Sequence, residues 1–261
     1  MASREPNLLA GTRFGPIERL IEIDSTNRWL LDAARDGMAS GAVVVAELQT
    51  AGRGRLGRSW TAPAGSSLLV SVLLRPPLPR DAWHLYTTTA ALAASEAVTR
   101  LTDGQVVPRL KWPNDLVLPS GKLAGLLGEI AGDALVLGMG LNVDWPSIPD
   151  DLAGIATAIS LAGGSPPNRE VLLVAWLRRW HGWLEVLEAP FGQERVRGAC
   201  ERASATLGAR VRVELANETF TGTAIAVTSE GHLVVETESG EREIAAGDVV
   251  HLRRSRGRLR R

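Results

Sequence analysis

The chain has 261 residues, with 29 Lys plus Arg set against 29 Asp plus Glu, 45% hydrophobic and 22% charged residues, which suits one large domain with a sizeable core and a small appendage. The balanced charge selects no particular partner; the single cysteine, Cys200, excludes an intrachain disulfide and a cysteine-built metal site, and the four scattered histidines give no zinc spacing. No apolar run reaches the length of a membrane span, and the N-terminus lacks the apolar stretch of a secretory signal, so a reducing, cytoplasmic setting is expected.

In chain order, Asp24-Ser25-Thr26-Asn27 followed by Trp29, Leu30, Leu31, Ala33 and Ala34 predicts a capped helix over 24–37. Apolar runs at 42–48 and 67–74 predict buried strands. Between them lies QTAGRGRLGRSWTAPAGS, rich in Gly and Arg and without apolar periodicity; a loop this long inside a domain is functional or disordered. An Ala-rich helix is expected over 82–101, then strands around Arg109–Trp112, Lys122–Ile130 and Ala134–Asn142. A long amphipathic helix follows over 169–188, on which Trp176, Trp180 and Trp183 fall at i, i+4 and i+7, a core-facing stripe rather than an aromatic binding box. Past Leu207 the pattern changes to short alternating strands broken by turns at 229–231 and 238–240, which predicts a small β-barrel ending near Leu252. The expected division is 1–206, 207–252 and a basic tail at 253–261, whose six arginines predict a solvated, disordered segment rather than a nucleic-acid contact.

Four clusters can carry chemistry. Gly52-Arg53-Gly54-Arg55-Leu56-Gly57 fits G-x-G-x-x-G, but a dinucleotide fingerprint needs a helix directly after it, and here the next regular element is a strand. The glycines instead give the backbone freedom to close over a ligand, and Arg53, Arg55 and Arg58 supply donors for phosphate or carboxylate. In Lys111-Trp112-Pro113-Asn114-Asp115, proline ends a strand, so Asn114 and Asp115 are expected to project from a rigid turn; the segment reads equally as a plain turn or as part of a nucleotide site. Gly121-Lys122-Leu123-Ala124-Gly125 opens a strand with a lysine, and Gly125 is expected to permit close ligand approach; Leu116 stands where a P-loop needs glycine. Gly138-Met139-Gly140-Leu141-Asn142-Val143 is an apolar strand end presenting one amide.

No one of these is specific alone, but QTAGRGRLGRSW, KWPND, GKLAG and GMGLNV, preceded by Ser25-Thr26-Asn27, resemble the biotin–protein ligase family in wording, order and spacing over roughly residues 20–252. The resemblance implies an α+β fold, a mixed sheet flanked by helices like the catalytic core of class II tRNA synthetases, followed by an SH3-like barrel. It implies a biotin- and ATP-binding domain over 1–206 that makes biotinyl-5′-AMP and pyrophosphate from biotin and ATP, with Mg2+ accompanying the nucleotide, then passes biotin to a lysine of the biotin carboxyl carrier domain of a carboxylase. By the same resemblance, Ser25, Thr26, Asn27, Gln49, Gly52, Arg53, Gly54, Arg55, Lys122 and Gly125 bind biotin, and Arg58, Trp60, Lys111, Asn114 and Asn142 bind ATP, with Trp60 near adenine. Arg55, Lys111, Asp115 and Lys122 are the catalytic candidates, Asp115 to orient or deprotonate the acceptor lysine. No metal-ligating residues are expected. Residues 52–60, three glycines and three arginines with few apolar groups, are expected to be mobile until the adenylate binds.

Two departures stand out. About twenty residues precede the Ser-Thr-Asn element, too few for the DNA-binding domain of bifunctional members, so no specific DNA binding is expected; the enzyme is expected as a monomer or homodimer, without a membrane partner. Thr157-Ala158-Ile159 stands where the family often has Thr-Ser-Leu. The rivals are a lipoyl or octanoyl transferase of the same fold, a biotin-sensing repressor, and a structural surface insertion at the Gly-Arg loop.

Overall fold

The computed structural model describes residues 8–215, 217–245 and 247–252; the Arg-rich tail lies outside them. In chain order its elements are β1 (Ile17–Ile23), α1 (Thr26–Arg35), β2 (Val43–Gln49), β3 (Ser67–Leu74), α2 (His84–Leu101), β4 (Arg109–Lys111), β5 (Asp115–Leu118), β6 (Gly121–Ala131), β7 (Ala134–Asn142), α3 (Arg169–Glu188), α4 (Gly192–Ala203), β8 (Arg210–Glu214), β9 (Thr219–Val227), β10 (Leu233–Thr237), β11 (Gly240–Ile244) and β12 (Asp248–His251). Strands 67–74 and 134–142 and the helix over 169–188 have the expected bounds. The Ala-rich helix begins two residues later than expected, at His84, because Arg80–Ala82 forms a separate 3-10 turn.

Seven strands form one sheet in the order β1-β2-β3-β7-β6-β5-β4, with β1 parallel to β2 and the other neighbours antiparallel. Side chains alternate across a strand, so the central strands serve two cores. Leu68, Val70, Val72, Leu74, Leu135, Leu137, Met139 and Leu141 face one layer with α2 and α3. Leu73, Ala134 and Val136 face the other side, where α1 packs with Leu30, Leu31 and Ala34. The tryptophan stripe is core, as expected: Trp176 and Trp180 are fully buried and stacked, centroids 5.2 Å apart. Each of the three indoles also finds an acceptor on α2: Trp176 donates to Ala90 O, Trp180 to Thr89 Oγ1 and Trp183 to Glu96 Oε1.

The remaining strands form a five-stranded antiparallel sheet, β11-β10-β9-β8-β12, around Val211, Val213, Ala224, Leu233, Val235, Ile244 and Val249. Trp112 and Leu207 pack against that cluster and tie the two sheets together. Among the described residues no helix is long and apolar enough to cross a membrane.

Candidate active site

The site lies on the face of the large sheet that α1 covers only in part. Leu137, Met139 and Leu141 point to the opposite core, so Gly138 and Gly140 fall on the site face. Both are bare for a reason. A Cβ at Gly138 would lie 2.2 Å from Asn27 Oδ1, and one at Gly140 would lie 2.3 Å from Cε2 of Trp60. Across the ladder Gly125 pairs with Gly140, and a Cβ there would lie 2.9 Å from Lys122 Nζ and 3.1 Å from Trp60 Cζ3. Three glycines thus form a floor on which one amide, one indole and one ammonium rest. Gly125 was expected to make room for a ligand; its space is taken by the side chains of Trp60 and Lys122.

At one end of the cavity is a polar bed. Ser25 caps α1 by accepting from Arg28 N, which presents Thr26 and Asn27 at the mouth of the helix. Thr26 donates to Gln49 Oε1 from its backbone N (2.7 Å) and its hydroxyl (3.0 Å). Ser71 Oγ lies 2.7 Å from Thr26 Oγ1 and 2.6 Å from Asn27 Oδ1. Ser25, Thr26 and Asn27 are all buried.

At the other end is a wall of cations. Lys122 Nζ stands 2.7 Å from Asp115 Oδ1 and 5.4 Å from the centroid of the Trp60 ring. Burial pushes the Lys111 ammonium below the ordinary lysine range; Asp115 opposes that shift, while Lys122 and Arg58 add to it. Burial also lowers the pKa of Arg55, against the pull of Asp115. Asn114 donates through Nδ2 to Leu126 O, which locks the turn onto β6. Asp115 does not project from that turn as expected: it is the first residue of β5, and its strand register with Gly125 aims it at Lys122. The Trp112 indole donates to Gly231 O at 2.9 Å, and its backbone N–H donates to Thr206 Oγ1 at 3.0 Å, so the small sheet holds this corner in place.

The Gly-Arg segment closes the top and carries hydrogen bonds of its own. Gly54 N donates to Arg58 O at 2.7 Å, Trp60 N donates to Gly52 O at 2.9 Å, and Arg53 bridges to Ser59, which makes a small hairpin around a 3-10 turn at Arg55–Gly57. Trp60 supplies the apolar anchor of the segment, and its Nε1 is buried with no hydrogen-bond partner among the described residues.

The cavity holds about 240 Å³ and brings together Ser25, Thr26, Asn27, Gln49, Arg53, Gly54, Arg55, Arg58, Trp60, Lys111, Asn114, Asp115, Lys122 and Gly125, with Leu127 of β6 and Val249 and Val250 of β12 also in its lining. Two expected residues lie outside it. Asn142 is buried, with Nδ2 donating to Thr157 O and Oδ1 accepting from Ser67 Oγ, so its amide ties β7 to the 157–159 segment instead of facing a nucleotide. Gly52 sits where a Cβ would meet Trp60 O at 2.4 Å, so it serves the hairpin closure. Ala158, where the family often carries a hydroxyl, is fully buried. Glu129, not foreseen, accepts from both Asn27 and Arg53; its signal was a second charge on β6, after Lys122, in a strand that is apolar between them. A second cavity of about 440 Å³ shares Arg55, Lys111, Asn114 and Asp115 with the first and runs between α2, α4 and the small sheet.

Residues 20–144 match the biotin/lipoate A/B protein ligase family, and residues 206–252 match the biotin protein ligase C terminal domain. The chain is 35% identical over 256 residues to a biotin–[acetyl-CoA-carboxylase] ligase of Mycobacterium tuberculosis, covering 96% of this chain and 94% of the relative. A similar relative from Paracoccus denitrificans is 30% identical, covering 88% and 98%. The structure of the Aquifex aeolicus biotin protein ligase in complex with biotin and ATP superposes with a TM-score of 0.79 at 30% identity, over 92% of this chain and all of that one. Similarity of this extent in sequence and in fold, including the mixed sheet and the appended small one, places the chain in the biotin–protein ligase family, as an enzyme of the ligase class.

Proposed function

We propose that the chain joins biotin to ATP as biotinyl-5′-AMP and then transfers the biotinyl group to a lysine of a carboxylase carrier domain, with residues 1–206 forming the catalytic unit and 207–252 the appended sheet. The observation that carries this reading is the polarity of the cavity: an uncharged hydrogen-bonding bed at one end and a wall of cations at the other, with apolar lining from Leu127, Val249 and Val250. A molecule with a polar ring, an aliphatic arm and a carboxylate suits that lining.

In the first step a biotin carboxylate oxygen bonds to the α-phosphorus of ATP, and the bond to the β-phosphate bridging oxygen breaks to release pyrophosphate. Lys122, Lys111, Arg55 and Arg58 offset the charge that gathers there, each such donor contributing about 3–4 kcal/mol in a dry site. Magnesium enters as part of the nucleotide substrate. The carboxylates in or beside the cavity, Asp115, Glu129 and Glu214, each already engage a basic side chain, so phosphate oxygens would be its ligands. The 52–60 hairpin keeps water from the mixed anhydride.

In the second step the acceptor amine attacks the anhydride carbonyl, AMP leaves, and the amine gives up a proton. Asp115 is placed to orient or receive it, because it lies on the wall between the two cavities. We take the second cavity as the approach for the acceptor lysine, since it meets the first at Lys111, Asn114 and Asp115.

The test is biotin-dependent exchange of pyrophosphate into ATP by the purified chain, followed by transfer of labelled biotin to a carrier domain. Exchange driven by lipoate and not by biotin would overturn the reading in favour of a lipoyl ligase.

A further inference from the structure

Glu129 lies outside the cavity lining, yet it touches two residues of that lining, Asn27 on the polar bed and Arg53 on the Gly-Arg segment. On the site face of β6, residues 125, 127 and 129 succeed one another, paired across the ladder with Gly140, Gly138 and Val136. Glu129 thus stands one step beyond the glycine floor. Its Oε2 accepts from Asn27 Nδ2 at 2.9 Å, and its Oε1 accepts from Arg53 Nη1 at 3.1 Å. The other N–H of Asn27 goes to Leu127 O at 3.2 Å.

These contacts decide which way the Asn27 amide faces. Both of its N–H groups are used on β6, and Oδ1 rests above Gly138, beside the Ser71 hydroxyl. An amide turned end for end would set its oxygen against the Glu129 carboxylate and the Leu127 carbonyl, three acceptors with no proton among them. Asn27 therefore offers the cavity an acceptor and no donor. The two arms of the carboxylate differ in exposure: the Glu129 side chain is 25% exposed and that of Arg53 is 51% exposed. The arm to Asn27 is the sheltered one, and the arm to Arg53 is open to water and exchangeable.

We infer that Glu129 is a positioning residue that fixes Asn27 as a hydrogen-bond acceptor for a substrate ring bearing N–H groups, and that tethers the 52–60 hairpin through Arg53. The inference rests on the proposed biotin reading and deepens it: the cyclic urea of biotin carries two N–H donors, whereas a dithiolane ring carries none. Glu129 thereby contributes to choosing between the two substrates without touching either.

Two substitutions separate the arms. Glu129→Leu removes both acceptors; Glu129→Gln keeps an oxygen for Asn27 and removes the charge that holds Arg53. In biotin-dependent ATP–pyrophosphate exchange, Glu129→Leu is expected to raise the KM for biotin by about 10- to 100-fold, the effect of losing a hydrogen bond to a charged group. The KM for ATP is expected to stay within about threefold, because the cation wall is untouched. Glu129→Gln is expected to recover most of the biotin KM, yet to release biotinyl-AMP up to about fivefold faster, the scale of an exposed ion pair, read as labelling of bystander lysines. An unchanged biotin KM in Glu129→Leu would overturn the inference. So would a biotin KM in Glu129→Gln as poor as in Glu129→Leu, or a rise in both KM values in step with a lowered melting temperature, which marks a purely structural role. If the unaltered chain shows no biotin-dependent exchange, the proposed function falls first, and that failure is visible before any variant is made.

Discussion

Gly138 and Gly140 lie two residues apart on one strand, and replacing each by alanine should damage a different substrate. A Cβ at Gly138 would lie 2.2 Å from Asn27 Oδ1 and 2.9 Å from its Cγ, so the amide must leave the bed and give up its contacts to Ser71, Leu127 and Glu129. A Cβ at Gly140 would lie 2.3 Å from Cε2 and 2.5 Å from Nε1 of Trp60, so the rigid indole must rise by about an ångström. Overpacking costs about 1–3 kcal/mol in either case, and the shared loss of stability cancels when the two variants are compared. What remains is specific. Gly138→Ala loses net hydrogen bonding worth about 1–3 kcal/mol, a rise in the biotin KM of roughly 5- to 100-fold with little change for ATP. Gly140→Ala tilts the aromatic face that we propose stacks on adenine; a base stacked on an aromatic ring gains about 1–3 kcal/mol, so the ATP KM is expected to rise over a similar range while biotin is spared. The assay is pyrophosphate exchange with one substrate varied and the other saturating, alongside melting temperatures of both variants. If both alanines raise the same KM, the division of the floor between amide and indole is wrong.

Lys122→Ala is expected to slow adenylation by about 10²–10³-fold, the loss of one donor at developing phosphate charge, with little change in melting temperature without substrates; a near-normal exchange rate would remove Lys122 from the reaction. His84 packs against Gly231 of the small sheet, with Nδ1 2.8 Å from Asp81 O and Nε2 buried with no hydrogen-bond partner among the described residues. Burial lowers its pKa from 6.5; the Asp81 carbonyl and Glu230 oppose the shift, and His232 and Arg197 add to it. A base that is harder to protonate when folded gives stability that is full above about pH 6.5 and is lost as the pH falls from there toward the folded value. His84→Phe should therefore flatten the decline in melting temperature between about pH 7 and pH 5, and an unchanged slope would show that His84 does not titrate with unfolding.

The strands and helices that bury a continuous apolar surface were legible in the sequence, since β3, β7 and α3 each show it along their full length. β1 was missed because it is an edge strand whose charges and apolar residues do not alternate (IERLIEI), leaving Ile21 85% exposed. β5 is four residues long and follows Pro-Asn, where local turn chemistry masks a pairing that β4 and β6 supply. α4 is largely polar and buries little beyond Val196 and Ala199. In the site, wording and order identified the polar bed, the Gly-Arg segment and the cations. They could not say which glycines serve the ligand and which serve the protein's own side chains: Gly125, Gly138 and Gly140 look alike in a string, and only the register of three strands sets Trp60 and Asn27 above them. The same limit hid the surroundings of Asn142, whose partners Ser67 and Thr157 lie 75 and 15 positions away.

Trp112 has a consequence for how the molecule can be divided. Its indole is bonded to the turn of the small sheet and its backbone to Thr206, while the next three residues, Pro113 to Asp115, line the cavity. A cut between α4 and β8 leaves one fragment with an unsupported corner and the other with a naked carbonyl at Gly231, each the mate of the other. Fused to separate partners, the two pieces are expected to regain a formed corner when the partners meet, so that recovered activity would report the encounter.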